Sequence, residues 1–387
     1  MNKIIVCTAK YSDNLGDGVI SDCVEFLLKS LKSDLDVVHL DISGRTEYHS
    51  SIQQKSSISK VIFHATPNVL KPVITYAGWY FKFKKRLEHR INEIDFSNAD
   101  RLIFGGGQLL SDVGLNFPLK LSYICEMAEE SNLNFSFNSV GVAKHFSRKG
   151  KALITGIFDS KNMKMISVRD SDSKAHLQNI GINQHEILNA VDTGLWAGDA
   201  YQVNKIENTN LIGVGISNPK ELQAHSDDYD TSISLNFWVD LISKYIKSGF
   251  TPVLFTNGSS DDNAFFYEVI EKLESSNIQG FKTEDLPLVP KDLIHIISQF
   301  NSIVSHRLHA NIVAHSMYIP SLALSWDKKV QSYCNLIGRS DWCISDSEGA
   351  ENVFERHLQV INQGVGVSII EELKEKSKTY LKKQLEY

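Results

Sequence analysis

The segment Ser305-His306-Arg307-Leu308-His309-Ala310 places two imidazoles and a guanidinium within four residues, where an apolar run (Ser302–Val304) meets a helical one (Ala310–Ser316). An arginine fork suits a carboxylate or phosphate, and an imidazole titrating near neutrality suits proton delivery or removal. If Arg307 to His309 is still extended, both side chains share one face, and the helix start adds positive potential. The competing reading is a core histidine with its hydrogen bonds satisfied. Two further cations sit at similar junctions. Arg169 follows the apolar run Met163–Val168 and precedes a helix over Asp172–Asn179. Its competing reading is a surface arginine paired with Asp170 or Asp172. Trp326-Asp327-Lys328-Lys329-Val330 follows the run Ser321–Leu324, and Lys328 or Lys329 can reach the same pocket as the histidines.

Two more loops offer backbone rather than charge. Ser12-Asp13-Asn14-Leu15-Gly16-Asp17 lies between a first strand and a first helix, with Asn14, Gly16 and Asp17 at a helix amino end. Gly105-Gly106-Gly107 closes a strand and lets a ligand approach its N–H groups. It is neither a Walker loop nor G-x-G-x-x-G, so nucleotide binding does not follow from it. A turn with an N-cap and a tight packing turn are the plainer readings. Asp261 and Asp262 read as caps of the helix Asp262–Leu273, and Asp13, Asp17 and Asp192 form no convincing metal set.

These loops require strands and helices in alternation. Lys3–Thr8, Leu35–Leu40, Arg101–Phe104, Phe135–Val142 and Met163–Val168 read as strands, with helices over Gly16–Leu31, Pro118–Glu130 and Asp172–Asn179 among them. The pattern restarts with strands Asn210–Ile216, Pro252–Phe255, Ser302–Val304 and Ser321–Leu324, interleaved with helices that include Phe237–Lys247. Such alternation predicts an α/β chain with mostly parallel sheets. Composition turns polar near Tyr201–Asn208. The chain therefore divides into residues 1–203, 204–365 and a terminal helix at 366–387 that can pack back on the first domain.

At 387 residues and a formal net charge of −6, the chain has room for two or three cores and no general basic face for nucleic acid. Five cysteines without C-x-x-C spacing fit free thiols in a reducing compartment rather than zinc or disulfides, and Cys7 and Cys23 read as core. No segment resembles a signal peptide or approaches a membrane span. The stretch 71–90 mixes Lys71, Lys82, Lys84, Lys85, Arg86 and Arg90 with Tyr76, Trp79, Tyr80, Phe81 and Phe83. It reads either as a helix with one face on a core or as a contact with an anionic membrane surface.

The ordered set Asn14-Leu15-Gly16-Asp17, Gly105-Gly106-Gly107, Ser167-Val168-Arg169-Asp170, Asp192, Ser305 to Ala310 and Asp327-Lys328-Lys329-Val330 resembles the polysaccharide pyruvyl transferase family. The resemblance implies two Rossmann-like domains facing across a cleft (GT-B-like). It implies phosphoenolpyruvate as donor substrate, with no other cofactor and no metal, and a pyruvate ketal on a saccharide as product. The family's donor-site arginine, catalytic histidine and later lysine fall on Arg169, His309 and Lys329, with Arg307 matching the arginine of the histidine's motif. Asn14, Gly16, Asp17, Gly105, Gly106 and Gly107 fall among the substrate-binding positions. Trp326 stands where tyrosine is common, and Lys328 where a small residue or proline is common. The implied setting is cell-surface glycan synthesis in the cytoplasm, at the inner face of the membrane if the acceptor is lipid-linked. The alternatives are a GT-B glycosyltransferase using a nucleotide sugar and a non-catalytic saccharide-binding protein.

Overall fold

A computed structural model describes residues 2–48, 71–207, 209–225 and 235–386. Asn208, at the expected domain junction, and Tyr387, at the end of the expected terminal helix, lie outside the described residues. The chain forms two compact units. One comprises the residues up to Ser12, Asp17–Thr193 and those from Lys374 on; the other comprises Asp13–Gly16 and Gly194–Leu373.

The first unit holds a sheet of β1 (Lys3–Thr8), β2 (Asp36–Asp41), β3 (Arg101–Gly105), β4 (Phe135–Val140), β5 (Met163–Val168) and β6 (Ile187–Asn189) in the order β2-β1-β3-β4-β5-β6. All its pairings are parallel. Helices connect the strands, as parallel neighbours require. Burial on both sheet faces explains the unbroken apolar runs of β1 and β3. The core is aromatic, with the Phe104 and Phe137 rings stacked at 4.6 Å. β4 ends at Val140 rather than Val142. Ser139 takes φ 55 there, the register to β5 shifts between Phe137 and Val140, and the pairing slips. The Ser167 hydroxyl meets the displaced Ser139 N–H, and the Ser139 hydroxyl donates to the Val191 carbonyl.

The second unit holds β7 (Leu211–Gly215), β8 (Thr251–Phe255), β9 (Lys282–Thr283), β10 (Ser302–Ser305), β11 (Ser321–Leu324) and β12 (Cys343–Ile344), again all parallel. Its order β9-β8-β7-β10-β11-β12 is the doubly wound 3-2-1-4-5-6 arrangement, whose chain direction reverses between β7 and β10. In the first unit the same reversal falls between β1 and β3. Ligands of such sheets gather outside the carboxyl ends of the strands at these two places.

The structural division falls at Thr193/Gly194, ten residues before the change in composition. Gly198 explains it: its N–H donates to the Ser316 hydroxyl, and the short helix Ala197–Tyr201 packs on the helix Leu308–Ser316. The terminal helix runs Val367–Gln384 and its last part clusters with the first unit. Buried Gln384 there bonds Ser136, the Phe137 carbonyl and Asn138, and Arg101 caps its carbonyl.

Two histidines of the second unit belong to its core. The His315 ring lies between the Tyr333 and Ser321 hydroxyls, and the His357 ring between those of Tyr245 and Ser302. Burial lowers each pKa to about 3. Unfolded, each titrates near ~6.5, so below that pH the unfolded chain binds more protons. Stability is then complete above pH ~6.5 and declines toward pH 3, by about 1.4 kcal/mol per pH unit for each ring. Urea unfolding at about pH 7 and about pH 5 should show this loss, and His357→Gln should remove a large part of it. Equal pH slopes in the two proteins would contradict a neutral buried ring at 357.

Candidate active site

The carboxyl end of β10 carries the densest constellation. Arg307 is extended and caps the helix Leu308–Ser316, so the strand does not continue to His309. The condition under which Arg307 and His309 would share a strand face is therefore not met, and helical geometry sends the two side chains to different partners. Asn311 locks the junction by donating to the Ser305 and Arg307 carbonyls.

Arg307 makes a two-point ion pair with Asp262: Nε donates to Oδ2 at 2.8 Å and Nη2 to Oδ1 at 2.7 Å. Asp262 is wholly buried and also accepts the Asn218 N–H at 2.9 Å. Burial works to lower the Arg307 pKa; Asp262 outweighs it and raises the pKa above the ordinary arginine value. The pair ties the exits of β7 and β10, the two strands that flank the reversal, to the helix Ser260–Ser275. Asp262 thus does not cap its own helix, as its sequence position suggests. It is the third helical residue, and its capping residue Ser259 makes no side-chain bond. It shares the inward stripe with Phe265, Phe266, Val269 and Leu273. A carboxylate on an apolar stripe was the available sign that a buried cation must meet it.

His309 sits in the first helical turn, 9% exposed, directly over Gly16. A Cβ at Gly16 would stand 2.4 Å from His309 Cβ and 2.6 Å from Nδ1. Only glycine admits that approach. The segment carrying Gly16 is fixed in the same unit by the Leu15 N–H, which donates to the Asn257 carbonyl, while Asn14 Oδ1 accepts weakly from the Gly16 N–H at 3.4 Å. Neighbouring His306 is structural: its Nε2 lies 2.6 Å from buried Asp346 and its ring packs edge-on against Trp238. The Trp326 indole N–H donates to the His306 carbonyl, and Lys329 Nζ lies 4.0 Å above the Trp326 ring while pairing with Asp327 at 3.2 Å. Lys328 is exposed and Lys329 partly buried, so Trp326 holds Lys329 and not Lys328 beside the histidine junction.

In the first unit, Asp17 and Gly105–Gly107 line one small cavity with Thr8, Ala9, Ile20 and Leu109, at the reversal between β1 and β3. The Gly106 N–H donates to the Asn138 carbonyl and the Gly141 N–H to the Gly107 carbonyl. Gly141 also lies under the Arg169 guanidinium: a Cβ there would stand 2.7 Å from Nη2. Arg169 is buried rather than on the surface, and its contact with Asp170 is long, 3.4 Å, because Asp170 caps the next helix through the Ser173 N–H at 2.6 Å. Asp17, the glycine loop and Arg169 thus belong to one unit; Asn14, Gly16, Arg307, His309 and Lys329 belong to the other.

The family model described as polysaccharide pyruvyl transferase matches residues 14–328, one residue short of Lys329. No curated protein matches the chain in sequence. Among solved structures, the N-terminal domain of trehalose-6-phosphate phosphatase from Candida albicans aligns at TM-score 0.55 and 12% identity, covering 100% of this chain and 97% of that one. A putative UDP-N-acetylglucosamine 2-epimerase from Listeria monocytogenes aligns at 0.53 and 10%, covering 97% and 93%. The S. aureus MnaA–UDP co-structure aligns at 0.52 and 11%, covering 98% and 92%. At these identities the likeness is one of fold, the two-domain Rossmann-like arrangement of GT-B proteins.

Removing Asp262 leaves a largely buried guanidinium without its carboxylate. Asp262→Ala should therefore cost about 3–5 kcal/mol in urea unfolding. Replacing both partners with Leu and Met should cost clearly less than the two single changes together. Strictly additive costs would show that the two side chains do not act as a pair.

Proposed function

The chain belongs to the polysaccharide pyruvyl transferase family, and from that premise we propose that it transfers pyruvate from phosphoenolpyruvate to a saccharide, forming a ketal in cell-surface glycan synthesis. The observation that carries this reading is the junction after β10, where His309 stands over Gly16 in a helix's first turn, two residues after an arginine fixed by Asp262. Phosphoenolpyruvate carries about three negative charges, so its pocket needs several cations. In this reading unit 2 is the donor side, where Arg307 and Lys329 meet those charges, and unit 1 is the acceptor side; Arg169 is the arginine that the family likeness assigns to the donor. Each of these cations has a carboxylate beside it, and the two-point pair with Asp262 fixes Arg307 in place as a donor edge.

His309 gives a proton to the methylene carbon, leaving an oxocarbenium-like centre at C2. A sugar hydroxyl forms its bond to C2 and loses its proton. The first hydroxyl's proton restores His309; the C2–O bond to phosphate then breaks, phosphate departs with the electron pair, and a second hydroxyl closes the ketal as its proton passes to the departing phosphate. Asn14, Gly16, Asp17 and the Gly105–Gly107 backbone orient the substrates. Fixed cations perform the charge stabilisation, so the scheme calls for no metal or further cofactor.

We place the reaction in the cytoplasm. No helix among the described residues is long and apolar enough to cross a membrane. Val73, Ile74, Tyr80 and Phe81 are exposed beside Lys82 and Lys85, which supports a peripheral contact of 71–90 with an anionic membrane surface, where a lipid-linked acceptor resides.

Incubation with phosphoenolpyruvate and a panel of model and lipid-linked glycosides should release inorganic phosphate and add a ketal-linked pyruvate, read by mass. His309→Ala should lower turnover about 10²–10⁴-fold with folding intact, and Arg169→Lys should also fail because a lysine cannot fork onto a carboxylate. Full activity in His309→Ala removes that residue from proton transfer. Release of a nucleotide from a sugar nucleotide, with none of phosphate from phosphoenolpyruvate, would instead make the chain a glycosyltransferase.

A further inference from the structure

The carboxyl end of β2 carries a second cationic cluster that the transfer scheme does not use. Wholly buried Asp41 ends the strand. Its Oδ1 accepts from the Ser43 N–H at 2.8 Å and from Arg45 Nε at 3.1 Å, and its Oδ2 accepts from the Tyr11 N–H at 3.0 Å. Lys120, 4% exposed, reaches in from the helix Asn116–Glu130, donates Nζ to the Ser43 hydroxyl at 2.9 Å, and lies 4.9 Å from the Phe83 ring centre. Arg86 comes from the helix Lys84–Ile94 and rests on the same ring, its guanidinium carbon 5.3 Å from the centre. The Arg86 stem packs against Gly44. Three cations thus crowd around a single carboxylate whose oxygens are already engaged.

The cost of that crowding is visible in the groups themselves. Burial lowers the Lys120 pKa to about 7, with Arg45 and Arg86 adding to the effect against Asp41. Burial and Arg45 lower that of Arg86. Several polar atoms here are also unsatisfied. Among the described residues, Arg86 Nε and Nη1, Arg90 Nε and the Tyr48 hydroxyl are buried without a hydrogen-bond partner. Tyr48 packs edge-on against Tyr11 at 5.0 Å, and Arg90 is near enough to act on the acidity of Tyr11. The three arginine atoms can only donate, and the Tyr48 hydroxyl can donate as well as accept. A core that merely needed packing would not accumulate like charges and unmet donors together.

We infer that Arg45, Arg86, Lys120 and Tyr48 form an anion site in the first unit, built for a phosphate or diphosphate group. The donors outnumber the two oxygens of a carboxylate and suit the several terminal oxygens of a phosphate. The location is on the sheet's carboxyl-end face, outside β1 and β2 and one strand from the reversal between β1 and β3. If the proposed transfer is correct, this is where an acceptor saccharide carried on a phosphate would anchor; the anion site itself stands on the cluster alone.

The test reads binding without phosphoenolpyruvate, so it is independent of transfer. Titration of the full chain with inorganic pyrophosphate at low salt should show saturable binding and a raised unfolding temperature. Arg86→Gln and Lys120→Met should each weaken binding about tenfold or more, whereas Lys82→Gln, an exposed lysine nearby, should not. Lys120→Met should also unfold at the wild-type temperature or above, because it removes a crowded buried charge. If one variant fails to fold, the other and Arg45→Gln carry the measurement. Displacement of pyrophosphate by polyprenyl phosphate in neutral micelles at lower concentration than by soluble sugar phosphates assigns a lipid-borne group, and the reverse order assigns a free one. Absence of binding, or equal binding by wild type, Arg86→Gln and Lys120→Met, overturns the inference.

Discussion

The ion pair between Arg307 and Asp262 is the constraint on which the second unit's site rests. Three chain segments that are far apart in sequence meet at one wholly buried carboxylate: the exit of β7 through the Asn218 N–H, the helix after β8 through Asp262 itself, and the exit of β10 through the guanidinium. Two parallel hydrogen bonds fix the plane of the guanidinium as well as its position. That placement sets where Arg307 caps the next helix, and hence where the first turn carrying His309 begins. A buried pair is a weak source of net stability, since desolvation consumes much of the attraction. Its value here lies in geometry, because one carboxylate meets both strand exits at once.

A second constraint is steric. His309 occupies the space a side chain at residue 16 would need, and Arg169 occupies the space a side chain at residue 141 would need. In each unit a glycine lets a cationic or proton-carrying group lie flat on the backbone. Each glycine thereby forms the floor under the candidate group of its own unit. This differs from the usual role of a loop glycine, which is to reach unusual backbone angles. Gly106 and Gly107 do have that role, at φ 58 and 64, beside the strained Ser139 bulge that lifts Asn138 to accept from Gly106.

Much of this architecture was legible in the residue order. Apolar runs of four to six residues alternating with amphipathic ones require parallel sheets, and both sheets are parallel throughout their described strands. The loops that carry unusual residue sets proved to be the loops at the strand carboxyl ends. What periodicity could not supply were the long-range partners. Asp262 looked like a helix cap because local spacing cannot reveal a guanidinium 45 residues away. His306 and His309 are equivalent in the sequence, yet one is held by Asp346 and the other covers Gly16. The competing reading of Arg169, a surface pair with Asp170 or Asp172, fails on burial: Arg169 is buried, and Asp170 caps the next helix and keeps only a long contact with the arginine. The boundary near residue 203 followed polarity, whereas the packing of Gly198 on Ser316 follows contact.

The same chemistry separates groups the fold has finished with from groups it holds in tension. His315 and His357 each have both ring nitrogens matched to hydroxyls, and burial holds them neutral; they are core residues that happen to be titratable. The cluster around Asp41 is the opposite case. Its cations remain close together, its pKa values move in the direction that relieves charge, and its unmet atoms among the described residues can all donate. A folded chain tolerates such a local conflict when something other than the fold itself benefits from it. The helix that supplies Arg86 and Arg90 also carries Lys84 and Lys85, directly after the exposed Tyr80 and Phe81. The basic character of that stretch divides by burial: Lys82 and Lys85 are exposed, whereas Arg86 turns inward to rest on Phe83 beside the buried Lys120.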